Sequence, residues 1–189
     1  MRYPLSGAGA ACLLGSAVLA GPEKVSFPEG YPEKFTHYST VNRADERKQV
    51  VKMFANDTAL ASAEDGAPLD SGSVLVMEVY KAKLDADENP VVGSDGFFEP
   101  GDMAAIAVME SREGWGEEYP AEIRNGTWEY ALFDAKEHTL VDRDYQPCFE
   151  CHKPLHESDY VFSFALIKAT MADRIGPSAH PLEPGGMLD

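Results

Sequence analysis

The sequence predicts an α+β domain rich in β-structure, an antiparallel sheet with a few helices. Three observations lead there. Short segments dense in β-branched and aromatic side chains recur along the chain. Turn signals separate them: Asp65-Gly66, Asp70-Ser71-Gly72, residues 85–90, Asp95-Gly96, Pro100-Gly101-Asp102 and Asn125-Gly126. Helical periodicity of useful length is confined to one stretch.

Taken in order, residues 34–41 and 73–80 read as strands. Between them, 47–63 reads as a helix with Val50, Val51, Phe54 and Leu60 as its buried stripe. Residues 103–110 read as a strand on pattern, although Ala104, Ala105 and Ala107 leave a helix open. Residues 128–133 and 160–164 complete the set of strands. No internal repeat or low-complexity block interrupts them.

The two ends read differently from the middle. Residues 1–20 have the form of an export signal: Arg2 at the start, an apolar run over 8–19, and the small-residue site Val18-Leu19-Ala20. The run is short for a membrane span and gives way at once to Gly21-Pro22-Glu23-Lys24. Cleavage after Ala20 leaves a periplasmic chain with no membrane association and discards Cys12. Acylation of Cys12 as a lipoprotein is the rival reading; Gly9 stands where that motif wants a branched apolar residue. The tail from Gly176, with Pro177, Pro181, Pro184 and Gly185-Gly186, has no apolar periodicity and reads as a loose terminus. The organisation is therefore a signal over 1–20, one domain over 21–175 with length enough for a real core, and a tail over 176–189.

The chain of 189 residues carries a formal charge of −16, and every acidic residue lies in the exported part, since the signal holds Arg2 and no acid. Such acidity disfavours nucleic acid and anionic membranes. It suits a well-solvated surface or an encounter with a basic redox partner. No phosphate loop, dinucleotide fingerprint or Ser-His-Asp pattern is present, and acid pairs such as Glu117-Glu118 are commonplace at this composition.

The chemistry is concentrated in Cys148-Phe149-Glu150-Cys151-His152. This Cys-x-x-Cys-His spacing is that of covalent c-type haem attachment. Two thiols three positions apart on a helical turn can each add to a haem vinyl group, and the following imidazole then reaches the iron. Cys148 and Cys151 are the expected thioether anchors and His152 the proximal ligand, for one haem c per chain. A redox dithiol or half of a zinc site are the competing readings. No second cysteine pair completes a zinc site, and no βαβ context surrounds the motif. Export agrees, because bacterial haem attachment follows it. The motif comes late and among strands, so the haem is expected against one face of the sheet, unlike the mostly helical class I cytochromes c.

With these residues in view, the chain resembles the cytochrome P-460 family over about 27–164. The resemblance rests on Pro28-Glu29-Gly30-Tyr31, on Ser71-Gly72-Ser73-Val74-Leu75-Val76-Met77-Glu78, on Gly126-Thr127-Trp128, and on the haem motif with Lys153 followed by Asp159-Tyr160-Val161-Phe162-Ser163-Phe164. It implies a homodimer built around an antiparallel sheet. The related cytochromes c′-β share that fold with a gas-binding haem. In the hydroxylamine-oxidising members a middle-strand lysine bonds to the macrocycle, and the motif Gly-(Ser/Thr)-Val-x-Val-x-Glu places that position on Met77. A thioether has no nucleophilic amine, so this cross-link cannot form there. Lys81 shares the strand face but lies roughly 13 Å along it. The carboxylate of the oxidising members falls on Met109, with Glu110 one position away and opposite-facing.

Met77 has two readings. It can ligate iron, since His/Met ligation raises a haem potential, or it can cap the open haem face beside Met109 as a flexible apolar filler. The cap is the favoured reading. An apolar wall suits a small neutral ligand such as NO and holds dioxygen poorly. Three functions follow: capture of a small gaseous or nitrogenous ligand, with or without redox chemistry upon it; electron transfer through His152 and Met77; and oxidation of hydroxylamine or NO without the lysine bond. His37 reads as an ordinary strand histidine before it reads as a ligand, and His138, His156 and His180 fall in turns, the motif's flank or the tail. Arg112 and Arg124 can pair with haem propionates or with surface acids. Trp115, Tyr119, Trp128 and Tyr130 read as core or interface aromatics.

Overall fold

A computed structural model describes residues 21–65 and 68–173 of the chain. The export segment with Cys12, Gly66 of the first turn signal, and the tail from Gly176 with His180 lie outside the described residues. Five strands form one antiparallel sheet in simple sequence order: β1 (Thr36–Arg43), β2 (Gln49–Ala55), β3 (Val74–Ala82), β4 (Pro100–Ser111) and β5 (Trp128–Phe133). The helices are α1 (Tyr31–Lys34), α2 (Asp57–Asp65), α3 (Gln146–His152) and α4 (Phe164–Asp173). The β-rich α+β class is therefore the observed one.

Two elements differ from expectation. The stretch 47–63, expected as one helix, divides into β2 and α2 at Asn56. Central strand β2 is buried on both faces, so Val50, Val51, Met53, Phe54 and Ala55 all lie in the core and show no alternation. That double burial imitates a helical stripe. Asn56 marks the boundary: its Oδ1 accepts the backbone N–H of Ala59 at 3.0 Å, capping α2, and that of Val74 at 3.0 Å, while its Nδ2 donates to the Gly72 carbonyl. Residues 160–164, expected as a strand, instead leave a turn and run into α4 at Phe164. Phe162 stands edge-on to His152 of the motif's helix, while Tyr160, Val161 and Phe164 pack into the core cluster that the sheet shares with the helices. By contrast 103–110 is strand, within the longer β4.

Register decides what each sheet face carries, because residues directly opposite in an antiparallel ladder share a face. On one face lie Val51, Met53 and Ala55 of β2, Leu75, Met77 and Val79 of β3, Met109 of β4, and Trp128 and Tyr130 of β5. Helices α2 and α4 pack together over this face through Ala59, Leu60, Ala63 and Ile167, and Phe149 of α3 joins the same cluster. On the other face Phe54, Val74, Val76, Ile106, Val108, Ala131 and Phe133 are covered by the N-terminal segment with Val25, Phe27 and Tyr31. Buried Glu78 belongs to this second side and accepts hydrogen bonds from Tyr31 and Tyr80 hydroxyls at 2.7 and 3.0 Å. The first face is incompletely covered: Met77 and Met109 are only partly buried, and Cys148 packs beside them against the same cluster.

Candidate functional site

Helix α3 starts where the chain supplies its own start signals. Asp144 accepts the Gln146 N–H at 2.9 Å, and Pro147 occupies the first turn, where a missing N–H is harmless. Phe149 turns inward and fixes the helix, its ring 4.9 Å from Tyr119 and 4.8 Å from Tyr130. Its carbonyl accepts from Asn125 Nδ2 at 2.9 Å. With Phe149 on the core side, Cys148 is half-buried and Cys151 exposed, three residues apart on one helical turn. Burial pushes the Cys148 thiol up, so it stays protonated in neutral solution.

His152 ends the helix with its ring between Tyr130 at 4.8 Å and Phe162 at 4.9 Å. Its Nδ1 lies 2.7 Å from the Tyr160 carbonyl. A carbonyl can only accept, so Nδ1 carries the hydrogen and Nε2 presents its lone pair. Burial holds the imidazole below the ordinary histidine range, partly offset by that hydrogen bond, and keeps it in the neutral form that a metal requires. The Tyr160 carbonyl is aimed by two consecutive left-handed residues, Asp159 at φ 52° and Tyr160 at φ 61°. Such conformations cost about 1–3 kcal/mol each outside glycine, and persist where the surroundings hold them.

Across from α3, Met77 sits in β3 and Met109 in β4, on the same sheet face. Met109 pairs directly with Tyr130, the residue whose ring flanks His152. A residue that pattern reading overlooked engages Met77. Arg43 Nη2 donates to Met77 Sδ at 3.2 Å, and Nη1 to Gln49 Oε1 at 3.3 Å. Burial pushes the Arg43 guanidinium down and Arg47 adds to this, opposed first by Asp45 and then by the Cys151 sulfur. Arg43 therefore bridges from β1 to Met77 of β3. The wall that composition suggested as apolar carries one cation.

The other residues singled out from sequence lie elsewhere. Lys81 is exposed and pairs with Gln49, two pleat repeats from Met77. His37 pairs with Phe54 on the opposite face, 5.0 Å from that ring, and bonds to Thr40 Oγ1 at 3.0 Å. Glu110 is buried on that opposite side and bound to Arg112 at 2.6 Å. His138 stacks on Phe27, and His156 is exposed. Arg124 lines an open cleft of about 390 Å³ with Trp115, Lys153 and Tyr160, away from the two thiols.

Among the described residues no group of three or more His, Cys, Asp or Glu could by itself hold a metal ion. His152 alone would be a poor metal site, but it is suited to an iron already held in a macrocycle. The arrangement fits a haem on that ground: one neutral imidazole with Nε2 available, two thiols on the same turn, and a half-open, largely apolar sheet face beside them. Two features escaped the sequence reading. Arg43 reaches Met77 only through strand pairing, and Asp159 bonds to Trp128 across 31 positions. Neither leaves a periodic or motif signature.

A search among curated proteins finds no match to this chain. A family model does match, that of cytochrome P-460, over residues 28–163.

Proposed function

The chain belongs to the cytochrome P-460 family, whose members are haem cytochromes, and from that premise we propose that it is a periplasmic mono-haem c-type cytochrome that binds a small ligand such as NO. In this reading Cys148 and Cys151 hold the haem by thioethers: each S–H adds across a vinyl C=C, forming one C–S bond and leaving its hydrogen on the neighbouring carbon. His152 Nε2 would ligate the haem iron. The haem supplies an iron that binds diatomic ligands and exchanges single electrons.

The observation that carries the reading is the pairing of His152 Nδ1 with the Tyr160 carbonyl at 2.7 Å, which leaves only Nε2 free, on the turn that bears both thiols. On the far side, the Met77 sulfur is engaged by Arg43. That contact favours Met77 as a cap over Met77 as an iron ligand, because the guanidinium competes for the sulfur lone pair. Met77 also leaves no amine for a macrocycle bond. The residues then act in simple ways: Tyr160 fixes the imidazole, Met77 and Met109 exclude water, and Arg43 supplies one positive donor.

The deciding measurement is the optical spectrum of the purified ferrous protein with and without NO. A high-spin, five-coordinate spectrum that shifts on NO addition is the expected result. A low-spin spectrum with a methionine-to-iron charge-transfer band in the ferric form would replace this reading with electron transfer through Met77.

A further inference from the structure

Asp159 carries a buried carboxylate that the proposed function leaves unused. Its Oδ2 accepts two long-range hydrogen bonds, from the Leu69 N–H at 2.9 Å and from Trp128 Nε1 at 3.1 Å. Leu69 precedes β3, and Trp128, buried to 1 % exposure, opens β5. We propose that Asp159 is a positioning residue for His152, an inference that rests on His152 being the proximal haem ligand.

After α3 the chain makes a short 3-10 stretch (Lys153–Ser158) and must then reverse to bring a carbonyl back over the His152 ring. It does so through Asp159 (φ 52°, ψ 40°) and Tyr160 (φ 61°), two left-handed residues in succession and neither a glycine. Local hydrogen bonds from Tyr160 N to the Leu155 carbonyl at 2.7 Å and from Val161 N to the Ser158 carbonyl at 3.0 Å close the turn. They do not attach it to the sheet. Tyr160 and Val161 pack into the core cluster, and the carboxylate adds a directional tie to β5, the strand whose Tyr130 ring lies 4.8 Å from His152. The imidazole and the carbonyl that orients it are thereby referred to one rigid element. Outer partners of this kind set ligand orientation and donor strength. The indole N–H is a donor only, so loss of the carboxylate would also leave a buried N–H without its acceptor.

The test uses the holoprotein with its haem attached. Resonance Raman spectroscopy of the ferrous form reads the iron–histidine stretch, and a redox titration reads the potential. Trp128→Phe, which removes one donor and keeps an aromatic ring in the core, and Asp159→Ala are both expected to displace the stretch and shift the potential. Asp159→Asn is expected to restore the wild-type band, because an amide oxygen can accept both donors and asparagine tolerates the left-handed conformation. A residue of purely structural importance would lower the unfolding midpoint and leave the band in place. An unchanged band in folded Asp159→Ala therefore overturns the proposal; should that variant not accumulate, an unchanged band in Trp128→Phe does so. Failure of the underlying reading looks different: the wild-type protein itself would lack an iron–histidine band.

Discussion

Arg43 and Met77 are the pair on which the reading of the distal side turns. The guanidinium holds the sulfur at 3.2 Å, and a sulfur so engaged is a weaker candidate for iron. Arg43→Leu is expected to release it and move the ferric spectrum toward low spin, while the double variant with Met77→Ala stays high spin. An unchanged spectrum in Arg43→Leu would show that the contact does not govern coordination. At the proposed attachment site, Cys148→Ala or Cys151→Ala is expected to leave one thioether and the double variant none, so that acid extraction releases the haem only from the latter; haem retained by the double variant would sink the assignment. The Cys-x-x-Cys-His motif and Met77 were both legible in sequence, because contiguous residues define them. Arg43 was not, since its relation to Met77 exists only once β1, β2 and β3 are paired.

Strand β2 and helix α2 show how an element can be misread by its own burial. Val50, Val51 and Phe54 fit a helical stripe on spacing, yet each lies in a strand covered on both sides. Asn56 carries the boundary: it caps α2 and binds Val74 N and the Gly72 carbonyl with the same amide. Asn56→Ala removes the cap and leaves the two β3-side groups unpaired, and should lower stability by about 2–3 kcal/mol. Urea unfolding monitored by Trp fluorescence would measure it; a loss below about 0.5 kcal/mol would mean that water replaces the amide. A second junction, Asn125-Gly126, was legible as a turn. Gly126 adopts φ 59°, and a Cβ there would stand 3.2 Å from the Tyr160 ring, so the turn before β5 and the turn that orients His152 are packed against each other.

The molecule as a whole is strongly acidic, and one of its acids is buried without full compensation. Glu129 is inaccessible to solvent, its Oε2 accepts from Tyr119 at 3.1 Å, and its Oε1 has no hydrogen bond among the described residues, with Lys24 3.9 Å away and itself bound to Glu118. Burial raises its pKa to about 7 from 4.5. A raised pKa means that the folded state holds the proton more tightly than the unfolded one. The associated stability is complete below pH 4.5 and is lost as pH rises through about 7. The loss is on the order of 3 kcal/mol. Glu129→Gln should flatten this part of the profile, and denaturant unfolding at pH 5 and pH 8 would reveal it; an identical slope in both proteins would refute the assignment.

Short-range pattern was enough to write down the strand-rich class, the Cys148 to His152 motif and the residue that stands at Met77. Each is encoded by neighbours within a few positions, where alternation, turn chemistry and spacing act directly on the backbone. Long-range packing was needed for the rest: the division of 47–63, the turn in place of a strand at 160–164, the reach of Arg43, and the Asp159–Trp128 bond behind His152. These depend on groups distant in sequence that only strand register and core closure bring within hydrogen-bond range, and a linear pattern holds no record of that distance.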